Sequence, residues 1–280
     1  MKRIFLSPIL FLLFTLNTFA QEIQLADTTK WLCTYDYVLM QDSTNRQSVT
    51  RVKMFLQIGS HLSKFQSMNK YIGDSLLYAL KTHKIADEQL FMNQVSKSSS
   101  IAMPNLMASY NIFKNYPRLG LMSFTDYDDH KFLKVEQPMQ MDWKLDAQKD
   151  TVILGYTCQT AYIKYAGRDY IAWYCPQIPI ADGPYKFNGL PGLILKIGDT
   201  KGQHIFTLAS IQKLTYIQPI TYILSSFVNI TNEEYLKIMK SKMIRLFGIV
   251  QSGLITPMSE EAKARSMNGL RTKNNFIEKF

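Results

Sequence analysis

The sequence predicts an α+β fold: a β-rich, curved antiparallel sheet, for which an open half-barrel is one form, with a few helices, two of them near the C-terminus. Three observations predict it. Short runs rich in aromatic and β-branched residues recur between polar turns. In residues 142–214 these runs follow one another without intervening helices, as in a meander and not a βαβ array. Helix start and stop residues cluster in the last fifty positions.

Taken in order, residues 31–39, 51–58 and 61–67 read as strands, separated by the turns Asp42-Ser43-Thr44-Asn45 and Gly59-Ser60. From Asp74 to about Val95, Leu76, Leu77, Leu80, Leu90 and Phe91 suggest a helix, followed by a polar loop at 96–100. Strand character returns near 131–135. The central candidates are 143–145, 151–154, 156–165, 169–175, 193–197 and 204–211. In the tail, Thr231-Asn-Glu-Glu234 is a capping box, in which the Thr hydroxyl and the Glu carboxylate reciprocally satisfy free amides. Tyr235, Met239, Met243 and Leu246 continue it at helical spacing, and Gly248 stands where a C-cap is expected. Thr256-Pro257 opens a second helix that Gly269 can end. The expected layout places the helices on one side of the sheet.

Residues 1–20 read as an export signal: Lys2 and Arg3, an apolar run, then Thr18-Phe19-Ala20 before Gln21. The run is too short for a stable membrane anchor and no second one follows, so residues 21–280 are expected as a single soluble domain with no transmembrane anchor. The address is therefore exported, periplasmic or secreted. Net charge is +10, and removing Lys2 and Arg3 leaves +8. Residues 231–280 hold nine Lys/Arg against five Asp/Glu, so +4, half of that excess, lies in the last fifty positions. A basic tail suits anionic lipid or an acidic partner, or simply a soluble surface. Export and the lack of any nucleic-acid motif argue against nucleic acid.

The hairpin at 156–177 is the clearest local structure. Ala166-Gly167-Arg168-Asp169 suggests a type II′ turn in which Ala166 faces Asp169 and paired numbers sum to 335. Cys158 and Cys175 are then diagonal neighbours on one face, and a disulfide between them requires strong twist or a two-residue change of that sum. Three cysteines, Cys33, Cys158 and Cys175, leave at least one thiol free or intermolecular. Leu190-Pro191-Gly192-Leu193 carries type II turn residues, and 193–197 is apolar enough for a strand buried on both faces.

Trp143-Lys-Leu145, Gly155-Tyr-Thr-Cys158, Gly167-Arg168, Ala172-Trp173-Tyr174, Ile178-Pro-Ile180, Gly183-Pro-Tyr-Lys-Phe187 and Gly189-Leu-Pro-Gly-Leu-Ile194 resemble, in this order, the core pattern of the GLPGLI family of secreted bacterial envelope proteins. Leu56-Gln-Ile58 and Ser63-Lys-Phe65 are similar to its upstream strand pair. The resemblance implies a secreted envelope domain and no assigned activity. The sequence departs from the pattern at Cys175, where the family usually carries a hydroxyl residue. It departs again at Asn274-Asn-Phe-Ile-Glu278, which only loosely resembles an Asn-Pro-Ile-Glu ending.

Catalytic motifs are absent from the sequence: there is no nucleophile elbow, phosphate loop or dinucleotide fingerprint. No catalytic residue and no cofactor is assigned. Asp126, Asp128, Asp129 and His130 form the one acid–imidazole cluster, a candidate metal loop that adjacent positions more commonly make into a solvated turn. Arg168, Asp182 and Lys186, with Trp173 and Tyr185, are candidates for a ligand site; alternatively the charges are exposed and the rings are core pairs. The function expected is an exported, non-enzymatic envelope protein binding an apolar ligand, lipid, peptide or outer-membrane partner. The alternatives are a metal-dependent hydrolase using residues 126–130 and a structural assembly factor of the envelope.

Overall fold

The computed structural model describes residues 22–82, 108–128, 131–224, 227–252 and 273–279, together with 260, 261, 264, 267 and 268. Fourteen strands and two continuous helices are seen among them, and residues 260, 261, 264, 267 and 268 are helical as well. In chain order these are β1 (Glu22–Thr28), β2 (Trp31–Met40), β3 (Val49–Ile58), β4 (Ser63–Ser67), α1 (Met68–Lys81), β5 (Asn111–Lys114), β6 (Leu121–Asp128) and β7 (Lys131–Pro138). Then come β8 (Lys144–Ile153), β9 (Tyr156–Tyr165), β10 (Arg168–Cys175), β11 (Leu193–Asp199), β12 (His204–Lys213), β13 (Pro219–Leu224), β14 (Phe227–Asn229) and α2 (Asn232–Ser252). The α+β class holds.

Twelve strands form one sheet, ordered β14-β7-β6-β5-β4-β3-β2-β12-β11-β10-β9-β8, which does not close. It is not wholly antiparallel: β14 joins the edge strand β7 in parallel. A parallel neighbour needs a crossover, and here the chain first passes through β13, which pairs with β1 in a separate two-stranded ribbon. The large sheet is strongly curled. Nine strand steps separate β7 from β9, about 43 Å on a flat sheet, yet Gln137 Nε2 of β7 donates to Tyr165 Oη of β9 over 2.9 Å.

Alternation explains the layers. On β2, Cys33, Tyr35, Tyr37 and Leu39 point into the main core while Thr34, Asp36 and Val38 are partly exposed. Strand β4 is buried on both faces. Phe65 joins the main core on one side. On the other, Lys64 reaches Asp74 of α1 (2.5 Å) and the Thr221 carbonyl of β13 (2.9 Å). Leu62, Phe113 and Ile220 make a second small core there, beneath the ribbon. The helices thus do not share one side. Helix α1 covers the outer face, whereas α2 meets the main core through the Tyr235–Phe124 ring contact at 4.7 Å.

The predicted strands at 156–165, 169–175, 193–197 and 204–211 match β9–β12 within two residues at each end. The pieces 143–145 and 151–154 are one strand, β8, with a register shift between Asp146 and Thr151. Helix α1 begins six residues before the expected start, and the expected stretch beyond Thr82 lies outside the described residues. The capping box forms as expected: Thr231 N donates to Glu234 Oε2 (2.7 Å) and Glu234 N to Thr231 Oγ1 (3.1 Å). Gly248 does not cap α2, which runs on to Ser252; a mid-helix glycine costs only about 1 kcal/mol and need not stop it. The expected signal at 1–20 and most of the second C-terminal helix fall outside the described residues.

Candidate functional site

The expected hairpin register is corrected by two. Tyr165 faces Arg168 and Trp173 faces Thr160, so paired numbers sum to 333. The cause is the turn: both Ala166 (φ +45°) and Gly167 (φ +75°) are left-handed, the type I′ pattern, which leaves only these two residues in the loop. The tail explains part of this choice, because a Cβ on Gly167 would collide with the Lys279 carbonyl.

The hexapeptide turn is also corrected. Gly192 N donates to Leu190 O (2.8 Å), closing a three-residue γ-turn around Pro191, and Leu193 N donates instead to Ile178 O (3.0 Å). Gly192 takes φ +151°, and a Cβ there would run into the Cys175 carbonyl. The same i to i+2 bond recurs at Ile180 N to Ile178 O and Asp182 N to Ile180 O. These tight turns drive residues 182–188 inward.

Inside the curled sheet that segment is fully engaged. Lys114 Nζ of β5 binds Asp182 Oδ1 (2.5 Å) and the carbonyls of Gly183 and Phe187. Tyr185, held at φ +54°, has its ring against Tyr110 (5.4 Å), Phe187 and Phe206. Phe187 packs edge-on against Tyr165 and Tyr170, and Trp143 Nε1 donates to the Asn188 carbonyl (2.8 Å). Lys186, 1% exposed, pairs with Glu278 (2.7 Å) and donates to Asn232 Oδ1 (3.0 Å). Burial pulls the Lys114 and Lys186 ammoniums down, and their carboxylate partners oppose that shift.

Arg168, 5% exposed, is the second hub. It donates to Asp199 Oδ2 (3.0 Å), Gln203 Oε1 (2.8 Å), Asn275 Oδ1 (2.7 Å) and the Phe276 carbonyl (2.5 Å). Tyr170 Oη donates to the Ile277 carbonyl, Asn275 Nδ2 to the Met40 carbonyl, and Lys279 N to the Ala166 carbonyl. Beside it His204 shares a 2.7 Å hydrogen bond with Tyr37 Oη. Burial first, then the Arg168 charge, hold His204 well below its usual range.

Arg168, Asp182 and Lys186 are therefore buried and engaged within the chain, not exposed loop charges. They secure the loop and the tail segment 273–279. Tyr185 is a core ring. Trp173 stands apart from them, partly buried, with Lys196 Nζ at 5.0 Å from its ring. In the metal candidate, Asp126 lies on β6, not in a loop, and accepts from Tyr235 Oη (2.6 Å) and Ser109 Oγ (3.1 Å). Asp128 ends that strand, while Asp129 and His130 lie outside the described residues. Among the described residues no three His, Cys, Asp or Glu side chains converge as a metal site requires. Asn275, Glu278, Lys114 and His204 were not singled out by sequence reasoning as site residues; for Asn275 and Glu278 the sole pointer was the family-like ending.

Two spaces adjoin the tail. A cavity of about 30 Å³, lined by Tyr37, Tyr110, Tyr185, Tyr235, Ile277 and Glu278 among others, has the volume of one water. The larger is a groove of about 390 Å³ between α2 and the tail, lined by Lys240, Met243, Ile244, Phe247, Lys273, Asn274 and Phe276. Ile244 is 73% exposed, and burial lowers the Lys273 pKa. Among the described residues, no helix is long and apolar enough to cross a membrane.

Residues 164–196 match a family described as "Protein of unknown function (Porph_ging)". The match spans strand β10, the hexapeptide loop and most of β11, and its description carries no activity. The GLPGLI name expected from residues 189–194 is not part of that description. No curated protein matches the chain. Two solved structures, titled "Structure of PNGF-II in P21 space group" and "Structure of PNGF-II in C2 space group", are similar over 76% of this chain at 13% identity, with TM-scores of 0.47 and 0.45. The chain spans 33% of the length of each.

Proposed function

We propose that this is an exported, non-enzymatic protein of the bacterial envelope that binds an amphiphile with an apolar chain and an anionic head. The observation that carries the reading is the groove between α2 and the tail. Its volume, about 390 Å³, is within the range of small-molecule sites. Met243, Ile244, Phe247 and Phe276 supply apolar lining, and Lys240 and Lys273 supply charge. An anionic head beside the partly desolvated Lys273 offsets the burial that lowers its pKa. In this reading the curled sheet is an open half-barrel whose interior is filled by residues 182–188 and the tail, and the ligand sits at its rim. The export signal read at residues 1–20 supports the address.

The test uses the mature chain from Gln21 and a fluorescent long-chain fatty acid. Saturable binding is expected. Ile244→Asp and Lys240→Glu, both at exposed positions of α2, should weaken it at least tenfold with an unchanged urea midpoint. Absence of saturable binding, or equal binding by both variants, refutes the reading. N-terminal sequencing of protein from its host tests the address, with Gln21 expected. Stoichiometric metal in the native protein, with hydrolysis lost on chelation, would favour the hydrolase instead. A ligand-free protein that crosslinks to an envelope partner would favour the assembly factor.

A further inference from the structure

The corrected hairpin register changes the relation between two of the three cysteines. With pairs summing to 333, the step after Tyr174–Gln159 sets Cys175 directly opposite Cys158. Opposed residues share a face, and both side chains are fully buried in the main core. The turn also determines the kind of pair. In a two-residue hairpin the closing pair, here Tyr165–Arg168, is hydrogen-bonded, and hydrogen-bonded and non-hydrogen-bonded pairs then alternate along the ladder. Counting from 165/168 to 158/175 is seven steps, an odd number; the first six, to Tyr174–Gln159, run without a register shift, and 158/175 is the next step along the same strands. The two cysteines thus occupy a non-hydrogen-bonded site, where opposed Cα atoms approach to about 4.5 Å. That lies within the Cα range of disulfides, about 4.4–6.8 Å. The diagonal relation expected from the sequence did not.

We propose that Cys158 and Cys175 form a cross-strand disulfide in the oxidised protein, closing the open end of the β9–β10 hairpin, with Cys33 left as the single thiol. All three cysteines are buried and free in this structure. Burial, then the neighbouring Cys175, pushes the Cys158 thiol up to about 11. A buried, protonated thiol exchanges slowly, so the bond forms while the hairpin is still accessible during folding. With oxidised glutathione as oxidant, the Cys158 thiolate attacks one glutathione sulfur and expels the other as a thiolate. The Cys175 thiolate then displaces the second glutathione. One S–S bond forms in the protein and one is reduced in the oxidant. The two protons lost by the cysteines end on the two glutathione thiols.

The experiment refolds the mature chain and its Cys33→Ala variant from urea with either oxidised glutathione or dithiothreitol. Free thiols are then alkylated under denaturing conditions, and the peptides are mapped by mass. Oxidative refolding should yield a linked pair of peptides containing Cys158 and Cys175, one alkylated Cys33 in the parent chain, and none in the variant. The oxidised form should have the higher urea midpoint, and protein first folded with dithiothreitol should acquire the bond much more slowly. Three alkylated cysteines after oxidative refolding of the parent, or a link from Cys33 to either partner, overturns the proposal. If the variant fails to refold, the peptide map of the parent decides.

Discussion

Arg168 and Lys186 sit at the centre of this molecule's polar interior. Each is a cation removed from water and compensated by a carboxylate, Asp199 or Glu278, and by tail groups. Removing one partner of a buried pair leaves the other charge uncompensated. Arg168→Ala and Lys186→Ala should therefore each destabilise the fold by about 3–5 kcal/mol, read as lower urea midpoints. A change below about 0.5 kcal/mol, the usual size for an exposed substitution, would show that these side chains are solvated. His204 adds a pH dependence. Its folded pKa is depressed, so the unfolded chain binds the proton first as pH falls below about 6.5. Stability is thus lost on acidification, by up to about 1.4 kcal/mol per pH unit until the folded imidazole also protonates. Urea midpoints measured across that window should show a slope that His204→Asn reduces.

At the scale of elements, the hexapeptide loop and the tail decide how the interior is filled. Gly192 has two reasons to be glycine, a φ of +151° and the Cys175 carbonyl against its α-carbon. Gly192→Val should destabilise by at least about 1–3 kcal/mol from strain, with the steric clash added. A fully stable Gly192→Val protein that no longer binds would instead make the turn part of a binding surface. The tail behaves as a strap: it joins β2, β10 and the loop through Gln41, Arg168, Ala166 and Lys186. Deleting residues 273–280 should lower the thermal midpoint and unfold the chain more readily than Lys186→Ala alone, because it strips partners from both Arg168 and Lys186. A midpoint equal to that of the full chain would mean that the strap contributes nothing.

For the whole molecule, strand order makes the halves interdependent. Strand β12 lies between β2 and β11, so it joins the N-terminal run β2–β7 to the C-terminal run β8–β11. A fragment ending before His204 would leave one edge each of β2 and β11 without its partner in the middle of the sheet. It should not fold, and far-ultraviolet circular dichroism of residues 21–203 should lack both the strand signature and a cooperative urea transition. A folded fragment would divide the chain into two domains. The fatty-acid binding proposed above belongs to the same scale, since the groove is made where α2 meets a tail anchored by Arg168 and Lys186.

Local rules were enough for much of this. Alternating apolar residues revealed β2, β9, β10 and β12, and Thr231 with Glu234 marked the start of α2, because these preferences act over a few neighbouring residues. The sequence also showed that Gly192 and Gly167 were placed for backbone reasons. It did not show β1, β5, β6, β13 or β14: these are short, edge-like or buried on both faces, and no alternation distinguishes them. Nor could it decide between the two hairpin registers, which differ by one turn type. What tertiary structure alone decided was the fate of the charges. Nothing local separates a solvated loop lysine from Lys186, whose carboxylate partner lies 92 positions further along the chain. Sequence by itself determined β2, β9, β10 and β12, where the chain turns between them, and the capped helix, since those follow from contacts between near neighbours. Whether Arg168 and Lys186 faced solvent, a ligand or the chain's own tail depended on how far the sheet curls, which is set by long-range packing.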